Sequence, residues 1–219
     1  VSEALIQEML YPYDGLIIAT KGGMVRTGPD QWRHQADAEH LRAACLSSLE
    51  RLKLKQITLY QLHWPDPEVP FMESVRALID LQRQGLIRHI GLSNVTLEQL
   101  KQALDSTEIV SVQNPYNLAQ RSANDSMVDF CEQQGIAFIP YFPMGGSGKL
   151  LHNEVLQMIA DRHQASTNQI SLAWLLARSK TMLPIPGTHS LSHLEENVAA
   201  ASISLSDVEY EQLCNLERA

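Results

Sequence analysis

The groups able to do chemistry in this 219-residue chain gather at the ends of short apolar runs. Leu16-Ile-Ile-Ala-Thr leads into Lys21, Ile57-Thr-Leu-Tyr-Gln-Leu into His63, and Ile87-Arg-His-Ile-Gly-Leu into Ser93 and Asn94. Ile109-Val-Ser-Val leads into Gln113 and Asn114, Ile136-Ala-Phe-Ile-Pro into Tyr141, and Met182-Leu-Pro-Ile-Pro-Gly into Thr188. An amine and an imidazole can stabilise or move charge, whereas amides and hydroxyls offer donors and acceptors without carrying any. Stock motifs do not account for them. Gly148-Lys149 has Pro143 in place of the upstream glycine of a P-loop and Leu150 in place of its Ser/Thr. Gly146-Ser-Gly148 meets Leu151 where a dinucleotide fingerprint needs its third small residue. Gly91-Leu-Ser93 ends on Val95 where a nucleophile elbow needs Gly. His189 and His193 are spaced i,i+4, but no HExxH and no third ligand accompany them, so no metal site is expected.

The elements that carry these residues read as six strands alternating with helices. Leu41/Cys45/Leu49/Leu52, Val75/Leu78/Ile79/Leu81, Leu97/Leu100/Leu104, Met127/Val128/Phe130/Cys131 and Val155/Leu156/Ile159 repeat at helical spacing. Asp37 heads one helix with Glu39 in its first turn, Thr96 with Gln99 makes a capping box, and Gly85 and Gly135 stop helices before strands. Strict alternation implies right-handed crossovers and a parallel sheet. Polar residues at six strand ends favour a barrel, which draws its site from many strands, over an open sheet with one switch point. With no linker, repeat or low-complexity segment, residues 1–219 are expected to be a single α/β domain.

Composition narrows the function. Lys plus Arg number 17 against 25 Asp plus Glu, a net charge of −8, so neither a nucleic acid nor an anionic membrane is an expected partner. No apolar run approaches the roughly 18 residues of a bilayer span. Cys45, Cys131 and Cys214 are odd in number and widely spaced, which fits a reduced cytoplasm better than a disulfide scaffold.

Several blocks together resemble the aldo-keto reductase superfamily, and most nearly its small bacterial members. They are Ala19-Thr-Lys21-Gly-Gly, Leu59-Tyr-Gln-Leu-His63-Trp-Pro, Arg88-His-Ile-Gly-Leu-Ser93-Asn94 and Val112-Gln113-Asn-Pro-Tyr. Tyr141-Phe-Pro-Met-Gly145-Gly and Pro184-Ile-Pro-Gly-Thr188, with Leu194-Glu-Glu196-Asn197, complete the series in the family's order. The resemblance implies a (β/α)8 TIM barrel moving hydride between NADP(H) and a small aldehyde or ketone, without metal. It makes Lys21 the catalytic lysine, whose charge lowers a neighbouring tyrosine's pKa, and His63 the histidine that holds the carbonyl oxygen and assists proton transfer. Ser93, Asn94 and Gln113 would bind the nicotinamide carboxamide, with Tyr141 stacked on the ring. Gly145 and Gly146, with Ser147 and Gly148, would admit the pyrophosphate. Thr188, Ser190, His193, Glu196 and Asn197 would hold the adenosine end, Ser190 opening a helix whose N-terminus favours phosphate. Trp64, with Phe71 and Trp32, is either pocket lining for substrate or core.

Two positions depart from the NADP pattern: Gly187 stands where many relatives carry Lys, and His193 where they carry Arg. NADP(H) is the expected cofactor, with NAD(H) left open. The family's proton-donating tyrosine and its aspartate belong to units upstream of the lysine strand, and Tyr11 and Tyr13 stand in the wrong register for that role. The sequence thus reads as the third to eighth βα units of the barrel. Its first two units would lie in material preceding Val1, have been lost, or be supplied by another chain; the two sheet edges an open barrel would expose favour the first. A rival from another class is an inactive nucleotide-binding barrel acting as a sensor. A phosphate-binding isomerase barrel leaves Lys21, His63 and Gln113 without roles.

Overall fold

The computed structural model describes residues 2–145 and 153–216, which fall into two compact units, Val1–Val112 and Gln113–Ala219. In the first unit, β1 (Ala19–Gly22) pairs in parallel with β4 (Ile57–Leu62), and β4 with β5 (Ile87–Ser93). Val110 N donates to Ile90 O at 3.0 Å, which brings the start of β6 (Ser111–Gln113) alongside β5. The register aligns Lys21 with Gln61 and Gln61 with Gly91. Side chains alternate across a strand, so Lys21, Gln61 and Gly91 share one face while Tyr60 and Ile90 turn to the other.

That second face is the core. Tyr60, Ile90, Ile87, Leu41, Leu52 and Leu78 are fully buried there or beside it, each aliphatic one contributing about 1.5–3 kcal/mol by leaving water. The covering helices are α2 (Ala38–Leu52) and α3 (Phe71–Arg83). Asp37 caps α2 as its carboxylate accepts from His40 N at 2.8 Å, and the Thr96–Gln99 capping box opens α4 (Leu97–Leu104). On the remaining flank α1 (Ser2–Leu10) sends Glu3 to Thr20 Oγ1 (2.6 Å) and Arg51 Nε (2.5 Å).

Three expectations need correction. Strict alternation fails between β1 and α2, where β2 (Met24–Gly28) and β3 (Gln31–His34) form an antiparallel hairpin turning at Pro29-Asp30. The strand expected from Leu16 begins at Ala19, because Leu16 N is spent on Tyr13 O in a turn. No strand runs from Met182 to Pro186: Pro184 and Pro186 have no N–H to donate, and the ladder is reduced to the Phe138–Met182 bridge.

In the second unit, α5 (Asp125–Gln134) ends at Gly135, whose φ of +68° supplies the left-handed stop. β7 is short, Ala137–Phe138; Phe138 N donates to Thr181 O (2.9 Å) and its oxygen accepts from Leu183 N (2.8 Å). Beyond Pro140, Tyr141 bridges in parallel to Pro115. Around these strands lie α6 (Glu154–Arg162), α7 (Thr167–Arg178), α8 (Leu191–Ala199) and α9 (Asp207–Cys214); α7 and α9 add to the helices the spacing marks. Trp174 anchors this core, stacked on Tyr116 at 5.8 Å and on Tyr210 at 6.3 Å. Among the described residues no helix is long and apolar enough to cross a membrane.

Candidate active site

Lys21, His63 and Ser93 occupy the carboxyl ends of three adjacent parallel strands on one sheet face. His63 lies two residues beyond Gln61 and Ser93 two beyond Gly91, so alternation keeps both on Lys21's side. His63 follows β4 directly, and its N–H donates to Gly22 O at 2.7 Å, prolonging the β1–β4 ladder by one rung. Its carbonyl oxygen accepts from Asn94 Nδ2 at 3.0 Å, and the same amide donates to Ser93 Oγ at 3.0 Å. Beneath them Gln61 Nε2 donates to Ser111 Oγ (3.2 Å), with Gly91 fitted against both. A Cβ at Gly91 would fall 2.3 Å from Ser111 Oγ, so the layer under the strand ends is filled.

Burial governs the electrostatics. Desolvation lowers the Lys21 ammonium below its ordinary pKa. His63 is pushed down to about 4, first by desolvation, then by the positive charge of Lys21 and by His34. His63 is therefore a neutral imidazole near pH 7, able to donate one ring N–H, and close enough to Lys21 to feel its charge. Trp64 is 40% exposed and Trp32 56% exposed, so neither is core; Phe71 opens α3 half-buried. His34, on the hairpin that the sequence pattern did not mark, meets Trp64 edge-on at 5.6 Å. The only signal for that hairpin is Pro29-Asp30 between residues that alternate weakly.

Tyr13 takes no part at these strand ends: its hydroxyl donates to Leu52 O at 3.0 Å in a separate cluster with Ile18 and Leu52. Tyr60 is buried on the opposite face, beside Gly22 and Cys45.

The second unit holds the remaining candidates. Gln113 and Asn114 are buried, and Asn114 Nδ2 donates to Asn124 Oδ1 at 3.0 Å. Tyr141 is half-buried with its ring edge-on to Phe142 at 5.2 Å. Asn117 Nδ2 fixes Phe142 O at 3.0 Å, and at Gly145, φ +73°, a Cβ would meet Asn117 Oδ1 at 3.6 Å, an ordinary contact. Gly146, with Ser147 and Gly148, lies outside the described residues. Ser190 caps α8, accepting from His193 N at 3.4 Å, and its own N–H donates to Thr188 Oγ1 at 3.1 Å. Glu196 is engaged with α7, receiving Ser166 Oγ (3.4 Å) on its carboxylate and Gln169 Nε2 (3.1 Å) on its main chain. Asn197 Nδ2, one residue on, is buried with no partner among the described residues. His193 is exposed on the first turn of the helix.

The profile of the Aldo/keto reductase family matches residues 1–218, and the chain belongs to that family, a family of oxidoreductases. It is 47% identical over 213 residues to an uncharacterised oxidoreductase of Schizosaccharomyces pombe, covering 97% of this chain and 69% of that protein. It is 41% identical over 215 residues to pyridoxine 4-dehydrogenase of Escherichia coli, covering 94% and 74% respectively. Among solved structures, an aldo/keto reductase of Klebsiella pneumoniae in complex with NADP and acetate superposes with a TM-score of 0.83 at 28% identity, covering 99% of this chain and 75% of that one.

Proposed function

We propose that residues 1–219 form an aldo-keto reductase domain of the (β/α)8 type that reduces a small aldehyde or ketone with NADP(H) in the cytoplasm. The observation that supports this most is the pair at the strand ends, a desolvated Lys21 ammonium and a neutral His63 on one sheet face. The Klebsiella relative's complex with NADP supports the cofactor.

The residues present fit such a cofactor. Asn197 Nδ2 is a buried donor without a partner among the described residues, suited to a ring nitrogen of adenine. Thr188, Ser190 and His193 cluster at the N-terminus of α8, whose first-turn N–H groups and dipole favour phosphate. Gly145 and Gly146 would let main chain approach the pyrophosphate, Glu196 would take the adenosine end with Asn197, and Tyr141 would face the nicotinamide. Ser93, Asn94 and Gln113 would hydrogen-bond its carboxamide. When bound, the reduced nicotinamide supplies hydride to the carbonyl carbon.

The chain's own groups act on the carbonyl oxygen. His63 donates a ring N–H to it; as a neutral group near pH 7 it keeps its other ring nitrogen as an acceptor. Lys21 places positive charge beside the oxygen where negative charge develops, worth more in a partly desolvated site than in water. The same charge lowers the pKa of any phenol that delivers the proton there. Trp64, directly after His63, would border the substrate.

The test is absorbance at 340 nm with the full chain, NADPH and a panel of aliphatic and aromatic aldehydes. Aldehyde-dependent NADPH oxidation that disappears in Lys21→Met, with NADPH binding retained, is the expected result. Cofactor binding with no turnover of any carbonyl overturns it in favour of a nucleotide-binding module.

A further inference from the structure

We propose that Asn168, on the first turn of α7, works with Asn197 of α8 to select adenine by its amino edge; this deepens the cofactor reading above and rests on it. The two side chains are left over where their helices meet. Ser166 and Gln169 are engaged in a capping box, Gln169 Oε1 accepting from Ser166 N at 2.9 Å and Ser166 Oγ from Gln169 N at 3.3 Å. Across the seam, Ser166 Oγ reaches the Glu196 carboxylate at 3.4 Å and Gln169 Nε2 the Glu196 main-chain oxygen at 3.1 Å. Asn168 stands between the two residues that cross from α7, and Asn197 follows the one that receives them. Yet Asn168 Oδ1 and Asn197 Nδ2 are both buried with no partner among the described residues.

Buried polar atoms are almost always paired, so an acceptor and a donor left open along one seam call for a ligand that offers both. An acceptor beside a donor is the complement of adenine, whose N6 amino group donates next to N7, a ring nitrogen that accepts. Asn168 would take an N6 hydrogen, and Asn197 would donate to the ring nitrogen. Guanine and hypoxanthine carry an oxygen at position 6, which would set acceptor against acceptor at Asn168. The place on the helix agrees with this assignment. Asn197 lies seven residues beyond Ser190, about two turns down one side of α8. Phosphate at the start of the helix and base at its last turn can therefore belong to one nucleotide.

Fluorescence titration of the full chain with NADPH and with its deamino analogue, in which oxygen replaces the adenine amino group, tests this without turnover. NADPH is expected to bind about tenfold more tightly. Asn168→Ala should bring the two within about twofold, chiefly by weakening NADPH. Asn168→Asp keeps an acceptor at the same place and should retain the preference. The ratio of the two constants is the readout that a merely structural asparagine would not move. A loss of stability in urea with that ratio unchanged would mean that Asn168 only supports α8, and overturns the proposal. Equal binding of the two forms by the wild type, or tighter binding of the deamino form, also overturns it. Failure of NADPH, NADH and the deamino form all to bind would instead remove the cofactor reading, and the proposal with it.

Discussion

Asn94 Nδ2 donates to the main-chain oxygen of His63 at 3.0 Å, tying the residue after β5 to the residue after β4. Asn94 adopts φ +59°, a left-handed conformation that asparagine tolerates better than most residues. His63 is thus held from both sides, its N–H by Gly22 O and its carbonyl by Asn94. Asn94→Ala should lower kcat/KM for aldehydes about tenfold, the equivalent of one well-placed hydrogen bond. Asn94→Asp should lower it further, because an acceptor then faces the His63 carbonyl. Steady-state kinetics with circular dichroism as the folding control checks this; an Ala variant as active as wild type would leave Asn94 no positioning role.

The protonation of His63 carries a second expectation. Its folded pKa of about 4 lies below the ordinary histidine value of 6.5, so between these limits the unfolded chain binds more protons than the folded one. Stability should therefore fall as pH drops from 6.5 toward 4, and this component should be missing in His63→Gln. NMR titration of the imidazole should give a midpoint near 4. Removing the neighbouring charge in Lys21→Met should move that midpoint upward, since the imidazolium is then opposed mainly by desolvation.

Strand ends were legible in the sequence wherever a buried strand left an apolar run. Ile57–Leu62 and Ile87–Ser93 are strands because Ile57, Leu62, Ile87, Ile90 and Leu92 are fully buried. The β2–β3 hairpin was not legible, because its residues are half-buried or exposed and no apolar period survives. Register, too, lies beyond periodicity: only the pairing of Lys21 with Gln61, and Gln61 with Gly91, sets His63 and Ser93 on one face. The contact of His34 with Trp64 follows from the hairpin and shares its silence in the sequence.

Packing behind β1 yields a stability test. The Tyr60 hydroxyl is buried with no partner among the described residues, a cost without a hydrogen bond to offset it. Tyr60→Phe should be neutral or stabilising in urea unfolding. Gly22→Ala should destabilise by about 1–3 kcal/mol through overpacking, since its Cβ would fall 2.1 Å from that hydroxyl. The double variant should recover part of the loss, but not all, because the ring carbon would still lie 2.9 Å away. Full additivity of the two changes would show that the clash is relieved elsewhere.

Glu209 fastens α9 by accepting from Ser206 N (3.0 Å) and Ser206 Oγ (2.8 Å), with the His163 ring at 3.2 Å. The Ser206 main-chain bond, then its hydroxyl, hold the carboxyl down at about 2, below its ordinary 4.5. A depressed carboxylate contributes stability above its unfolded pKa and loses it as pH falls through the folded one. Glu209→Gln should cost about 1.5–3 kcal/mol at pH 7, and the difference from wild type should shrink between pH 4.5 and 2. A difference independent of pH would place the loss in packing rather than charge.

The place proposed for His193 at the adenosine end makes it a test of preference between the two nicotinamide cofactors. It stands on the first turn of α8, exposed, with its main-chain N–H on Ser190 Oγ. A phosphate brought there meets the helix N-terminus and the hydroxyls of Thr188, Ser190 and Ser192, but no guanidinium. An imidazole presents at most two N–H groups, whereas arginine presents five in a fixed fork that matches phosphate. His193→Arg should therefore tighten NADPH about tenfold while leaving NADH nearly unchanged, because only NADPH carries the 2′-phosphate. Fluorescence titration with both cofactors measures the two constants directly. Equal tightening of both would mean that the new charge attracts the pyrophosphate instead, and no gain for either would take His193 out of the adenosine end altogether.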